Sequence, residues 1–254
     1  MNYFGPQTKC YNRDYFFTEY KCQYGKTYLE DFKAIKTKGI SRLKIISKLL
    51  KETVEKTLLD VGAAYGPFLQ AALEQGFKPF GIELYIQAAR YIREKLNISC
   101  CSLDFQKQTP LPSSEFPICF DVVSMWFVIE HFIKLASVLK RVNSLLKLGG
   151  IFAFSTPSFT GISAKKHKSQ FLNQSPEDHF TIWSPQKVKK QLLLFGFKLK
   201  KIVISGHHPE RFLMGLVRLK LKTSLFWRMF LLISKMFKLG DTFEVYAEKI
   251  RDTR

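Results

Sequence analysis

The stretch Thr57-Leu58-Leu59-Asp60-Val61-Gly62-Ala63-Ala64-Tyr65-Gly66-Pro67-Phe68-Leu69-Gln70-Ala71-Ala72-Leu73 decides the fold. Residues 57–61 are a β-rich run that stops at Gly62. Residues 67–73 are good helix material, with Pro67 suited to a first turn. Between them glycines and alanines turn the chain. Small residues let the backbone come close to a ligand, and a helix start offers N–H groups that have no partner within the helix. Glu83 follows 23 residues after Asp60, at the end of the next β-rich run, Lys78-Pro79-Phe80-Gly81-Ile82. An acid at that place can accept hydrogen bonds from both hydroxyls of a ribose. A glycine turn alone is often only a turn; the loop, the acid and the alternation together point to an adenosine-type cofactor.

Outward from the loop the alternation continues. Residues 85–96 carry helical spacing, 97–102 read as a short strand, and 120–125 are the continuous apolar run of a strand covered on both faces. A helix is expected over 131–146, stopped by Gly149-Gly150, then a strand over 151–155. The polar stretch 157–183 is longer than a connector needs and reads as a lid or substrate loop. A helix over 185–194 and strands over 197–204 and 241–248 complete the series. Such βαβ units predict an α/β fold, a doubly wound, mainly parallel sheet with helices on both faces. Residues 1–55, aromatic and helical in texture, are expected to cap a main domain over 56–254.

The 254 residues are ample for one large domain, and 46% apolar with 24% charged residues is ordinary globular composition, not that of a disordered chain. Forty Lys and Arg against 21 Asp and Glu leave a net charge of +19, which attracts an anionic partner: nucleic acid, a lipid surface or a charged small molecule. Five cysteines show no CxxC and no regular spacing, so neither a disulfide framework nor a zinc site is expected. The first residues lack the apolar core of a signal peptide, and no run is long and apolar enough to span a bilayer, so a cytoplasmic setting is expected. Between Lys198 and Lys238 ten basic residues meet one acid, Glu210, with Trp, Phe and Leu interleaved. This basic amphipathic insertion, 207–239, suits a helix at a lipid interface, peripheral at the inner membrane surface, or a helix covering an acceptor pocket or a dimer contact. Nucleic acid stays open as a partner, disfavoured because no compact RNA-binding motif occurs.

A dinucleotide site wants GxGxxG, but here Gly62 and Gly66 stand four apart with no third glycine following. The loop instead resembles the DxGxGxG element of class I S-adenosylmethionine-dependent methyltransferases. The likeness runs through Phe120-Asp121-Val122-Val123-Ser124-Met125-Trp126 to His131, through Gly149-Gly150-Ile151-Phe152, and through the ending Gly240 to Lys249. It covers roughly residues 40–205 and 240–250. It implies a Rossmann-like seven-stranded sheet whose last strand is antiparallel, and S-adenosyl-L-methionine as cofactor. Within the family the chain is most similar to the ubiquinone-biosynthesis O-methyltransferase branch, which implies methyl transfer to the oxygen of a small or lipid-linked acceptor.

By that resemblance Asp60, Gly62, Ala63 and Gly66 form the cofactor loop, Glu83 takes the ribose, and Leu84 and Phe105 also belong to the cofactor site. Asp104 meets the adenine, Trp126 the adenosine, and Arg42 the methionine carboxylate. The family's middle loop glycine is Ala64 here, tolerable if its φ is negative. The branch's ExxEH reads Phe127-Val128-Ile129-Glu130-His131. Phe127 replaces the first acid, so neither a metal nor a catechol substrate is expected. His131 and His179 are the candidate general bases, against structural readings as a helix-start organiser and a surface loop residue. Tyr20, Tyr24 and Tyr28, at spacing four, offer an aromatic wall over the cofactor or a core or docking stripe. A nicotinamide-dependent oxidoreductase, an RNA methyltransferase and a non-catalytic cofactor-binding module remain as alternatives.

Overall fold

The β-rich runs assemble into one sheet. The computed structural model describes residues 14–51, 55–173, 175, 176, 178–208, 211 and 225–253. Its strands are β1 (Lys56–Val61), β2 (Phe77–Ile82), β3 (Cys100–Cys101), β4 (Phe120–Trp126), β5 (Leu146–Pro157), β6 (Phe197–Ser205) and β7 (Thr242–Lys249). They lie in the order β3-β2-β1-β4-β5-β7-β6, with β7 antiparallel to both neighbours and the other pairs parallel. The strand order reverses between β1 and β4, the place where open α/β sheets leave a crevice at the carboxyl ends of their strands.

Helices α3 (Pro67–Glu74), α4 (Ile86–Leu96), α5 (Leu135–Leu145) and α8 (Pro185–Leu194) follow β1, β2, β4 and the segment after β5. One face of the sheet buries Leu59, Val123, Phe152 and Val245 under α5 and α8; the other buries Leu58, Val122, Ala153 and Tyr246. This second core also takes Leu43 and Ile46 from α2 (Phe32–Leu49), so part of the helical N-terminal region packs into the same core. Gly39 lets α2 approach α3 closely: a Cβ there would stand 3.1 Å from the Phe68 ring and 3.3 Å from Ala71.

Three local expectations are corrected. The helix expected over 131–146 is a 3₁₀ turn at Ile129–His131 followed by α5. Gly149 and Gly150 do not stop it; they lie within β5, which starts at Leu146 and pairs with β4 from Phe120. The stretch 157–183 is not all loop but carries α6 (Ile162–Lys166) and α7 (Lys168–Asn173), and it is tied to the sheet end by a Ser158–Trp183 bridge. Before α2 lie a π-helical turn (Tyr15–Glu19) and α1 (Tyr20–Tyr24), which Gly25 ends at φ +78°. Of the expected insertion, 209, 210 and 212–224 lie outside the described residues, and α9 (Leu225–Met236) is helical as anticipated. Among the described residues no helix is long and apolar enough to cross a membrane.

Candidate functional site

Two cavities open where the carboxyl ends of β1, β2 and β4 meet the N-terminal helices. The first, about 670 Å³, runs from the loop after β1 to the ends of β2 and β4. The second, about 720 Å³, lies between the N-terminal aromatics, the turn after β4 and the segment around α6 and α7. Tyr15, Tyr20, Tyr24, Phe127, His131 and Asp178 belong to the walls of both. A molecule in one cavity therefore meets a molecule in the other at this shared wall.

The loop geometry comes from parallel pairing. Asp60 and Val61 sit opposite Gly81 and Ile82, so the loops after β1 and β2 leave the sheet side by side. Gly62 and Ala63 donate their N–H groups to the Ile82 carbonyl (2.8 and 3.1 Å). Ala64 donates to Glu83 Oε2 (2.7 Å), and Tyr85 N–H to Glu83 Oε1 (2.9 Å). Glu83 is buried, and that burial pushes its carboxyl pKa up against the hydrogen bonds that hold it down. Gly62 has φ +75°, and a Cβ there would collide with Val128.

Of the residues expected around a cofactor, Arg42, Gly62, Glu83, Leu84, Asp104, Phe105 and Trp126 line the first cavity. Asp60, Ala63 and Gly66 are not among its lining residues. Asp60 is buried and takes a 2.6 Å hydrogen bond from the Ser124 hydroxyl; burial pushes its carboxyl up to about 7. Gly66 keeps α3 close to α4, since a Cβ there would lie 2.7 Å from Leu96 and 2.9 Å from Ile92.

Arg42 faces two ways. Its Nε donates to Glu244 on β7 at 2.9 Å, and its guanidinium carbon lies 3.9 Å from the centroid of a Trp126 ring. Its Nη2 and the Trp126 Nε1 are buried and have no hydrogen-bond partner among the described residues. Two such donors on one cavity wall are costly in an empty protein and suit a ligand that accepts from them. Asp104 caps the turn after it by accepting from Gln106 N–H at 2.9 Å. Tyr20 packs 4.4 Å from Tyr24 and 5.0 Å from Tyr28, and all three line the first cavity, so the tyrosine series forms an aromatic wall although its helix ends at Gly25.

Sequence reasoning missed Asp178. Its carboxylate lies 3.1 Å from His131 Nδ1, and His179 sets its ring edge-on to His131 at 4.7 Å. Burial opposes a charged His131, but the hydrogen bond it donates to Asp178 and the charges of Asp178 and Glu130 outweigh it and hold the imidazole pKa above its usual value. Glu130 is buried, which pushes its carboxyl up to about 7. Donor atoms of Glu130, His131 and His179 lie within 4.8 Å of one another, a set that could share a divalent cation. The contact could not be read from the sequence because 47 residues separate His131 from Asp178.

A model of a methyltransferase domain matches residues 35–202. A ubiquinone biosynthesis O-methyltransferase of Nitrosomonas europaea is 31% identical over 127 residues, 50% of this chain and 54% of that protein. Another bearing that name, from Histophilus somni, is 29% identical over 135 residues, 50% of this chain and 55% of that protein. The chain thus spans about half the length of these relatives. A crystal structure of a SAM-dependent methyltransferase from Archaeoglobus fulgidus superposes with a TM-score of 0.62 at 16% identity, covering 93% of this chain and all of that one.

Ala64 corrects one expectation: its φ is +50°, not negative, so the methyl group sits on left-handed backbone. Ala64→Gly is expected to stabilise the protein by about 1 kcal/mol and to raise its melting temperature by a few degrees in a thermal unfolding scan. An unchanged or lower melting temperature would show that the loop holds alanine without strain.

Proposed function

The chain belongs to the class I S-adenosylmethionine-dependent methyltransferases, and from that premise we propose that it transfers a methyl group to the oxygen of a small or lipid-linked acceptor. The observation that carries this reading is the set of Glu83. Backbone N–H groups on either side fix both carboxylate oxygens, leaving their other lone pairs available to a diol. Glu83 is assigned the ribose; Leu84, Asp104 and Phe105 the adenine; Arg42, through Nη2, the methionine carboxylate; and Trp126 the adenosine. The unpartnered donors of Arg42 and Trp126 fit such a ligand.

When bound, the cofactor supplies a methyl group already activated on sulfonium, so the protein's part is to align the acceptor and keep water out. Tyr15, Tyr20, Tyr24 and Phe127 stand where the two cavities meet and serve that purpose. His131 is assigned as the base that accepts the acceptor's hydroxyl proton, because it lines both cavities. Asp178 orients it through Nδ1, leaving Nε2 for the acceptor. His179, which lines the second cavity, is assigned to hold the acceptor beside it.

A lipid-linked acceptor resides in a bilayer, and peripheral membrane contact through residues 207–239 belongs to the same reading. Met229, Leu232 and Met236 recur at helical spacing on α9 and are exposed, Leu232 by 59% and Met236 by 68%. Arg228, Lys235 and Lys238 are exposed beside them, and residues 211–240 hold no acid. The opposite side of α9 is pinned to the body: Ser234 is buried and its hydroxyl bonds to His207 Nδ1 at 2.7 Å. Leu239, just past α9, accepts from Ile162 N–H, and Ile162 lines the second cavity. An apolar ridge flanked by cations fits an anionic bilayer.

Three outcomes are expected. Calorimetry with S-adenosylhomocysteine should show binding that Glu83→Gln weakens by roughly tenfold or more; equal binding by the variant would remove the ribose assignment. In transfer of label from the cofactor into small molecules of a cell extract, His131→Gln should lower kcat by about 10²- to 10⁴-fold. Asp178→Asn should give a smaller loss, cofactor affinity should hold in both variants, and turnover should survive a chelator. Activity lost to a chelator and restored by Mg²⁺ would instead give the acceptor oxygen to a cation on Glu130, His131 and His179. Co-sedimentation with phosphatidylglycerol vesicles at low salt should exceed that with phosphatidylcholine, and Leu232→Glu with Met236→Glu should abolish the difference; no binding of the parent protein ends the membrane part.

A further inference from the structure

Ala64, Asn97, Gln108, Phe127 and Lys238 are the non-glycine residues with positive φ among those described. Asn97 and Gln108 close helical turns and Lys238 follows the end of α9, places where left-handed backbone is ordinary. Ala64 stands in a loop whose family pattern has glycine. Phe127 differs from all of these: it carries a bulky ring at φ +59°, directly after β4.

Its backbone is held in that conformation from β5. The Phe127 N–H donates to the Ser155 carbonyl and to the Ser155 hydroxyl, each at 3.1 Å. The ring so placed does not join the core: it stays 40% exposed and belongs to the walls of both cavities. Strain is tolerated where something over-determines it, and core burial is not what this ring gains. Tyr15, Tyr20 and Tyr24 share the junction with it, while His131 supplies an imidazole on the same shared wall. The Lys38 ammonium lies over this ring, 5.9 Å from its centroid, and the ring itself offers an apolar surface but no ligand atom with which a cation could chelate two adjacent acceptor oxygens.

We propose that Phe127 is the acceptor-orienting residue of the site, a strained platform on which an aromatic ring bearing a single hydroxyl stacks with that hydroxyl toward His131. Specificity then comes from ring packing and one hydroxyl, not from chelation of a vicinal diol. The inference rests on the methyl-transfer reading for what happens to the hydroxyl, but the placement of the ring is read by binding alone.

The test uses 4-tert-butylphenol and 4-tert-butylcatechol, which share a tail and differ by one hydroxyl, titrated calorimetrically with and without S-adenosylhomocysteine. Melting temperatures are recorded for Phe127→Gly and Phe127→Leu. The phenol should bind at least as tightly as the catechol. Phe127→Gly should weaken the phenol by about tenfold while raising the melting temperature by a few degrees, since glycine relieves the backbone and the lost ring was half in solvent. Phe127→Leu keeps the bulk and the strain, so its affinity should fall less and its melting temperature stay near that of the parent. A ring that merely supports the fold would give the opposite sign, Phe127→Gly melting lower. That result, an unchanged phenol affinity, no phenol binding by the parent protein or a tenfold preference for the catechol each overturns the proposal. Failure of S-adenosylhomocysteine to bind would strike the methyl-transfer reading alone.

Discussion

The site depends on a carboxylate gripped by backbone from two loops. Glu83 can accept from Ala64 and Tyr85 because β1 and β2 run parallel in a register that puts Asp60 beside Gly81 and Val61 beside Ile82. Gly81 is needed for that pairing: a Cβ there would stand 2.9 Å from both Cys100 Sγ and a Leu69 methyl. The Glu83 N–H in turn bonds to the Cys101 carbonyl on β3. The acid is thus referred to three strands at once, and its burial is tolerable because N–H donors replace the water it has lost. Loosening any of these strands would let it swing, and the loop after β1 would lose the partner that holds Ala64 at its left-handed φ.

Most of this was legible in the sequence because it is local. The run from Thr57 to Leu73 contains a complete strand, turn and helix start, and Glu83 follows at a spacing set by one helix and one strand. What escaped depends on contacts between distant residues. Asp178 reaches His131 only because the segment after β5 folds back, with Phe180 and Thr181 donating their N–H groups to the Glu130 carbonyl. Gly149 and Gly150 read as a helix stop because glycine breaks helices. Pairing with β4 overrides that propensity, and Gly150 sits where a Cβ would meet the Asp121 carbonyl at 3.0 Å. The sign of φ at Ala64 could not be read at all, since alanine gives no hint of left-handed backbone.

The union of the N-terminal helices with the sheet has a cost that explains its precision. Arg42 on α2 and Glu244 on β7 are 202 residues apart and about 5% exposed, and Tyr246 donates its hydroxyl to the other oxygen of Glu244 at 2.7 Å. Taking both charges out of water offsets much of their attraction, so the pair adds little net stability. It does fix register: any slide of α2 along the sheet would strand an unpaired charge beside Trp126. Because Arg42 also lines the first cavity, the same contact that positions the helix positions the arginine on that cavity's wall.

Two residues carry left-handed strain at the walls of the first cavity, and they do so for different reasons. At Ala64 the side chain is a single methyl group, and glycine would hold the same turn without the strain. At Phe127 the strain delivers a ring to the junction of two cavities, where glycine would leave a gap and where a relaxed backbone would turn the ring away. The distinction is physical and not one of degree, because φ differs by only nine degrees between them, +50° against +59°. What separates them is the fate of the side chain. The Ala64 methyl is buried against the N-terminal aromatics, whereas the Phe127 ring stays partly in solvent on the wall of both cavities, with the Lys38 ammonium 5.9 Å from its centroid.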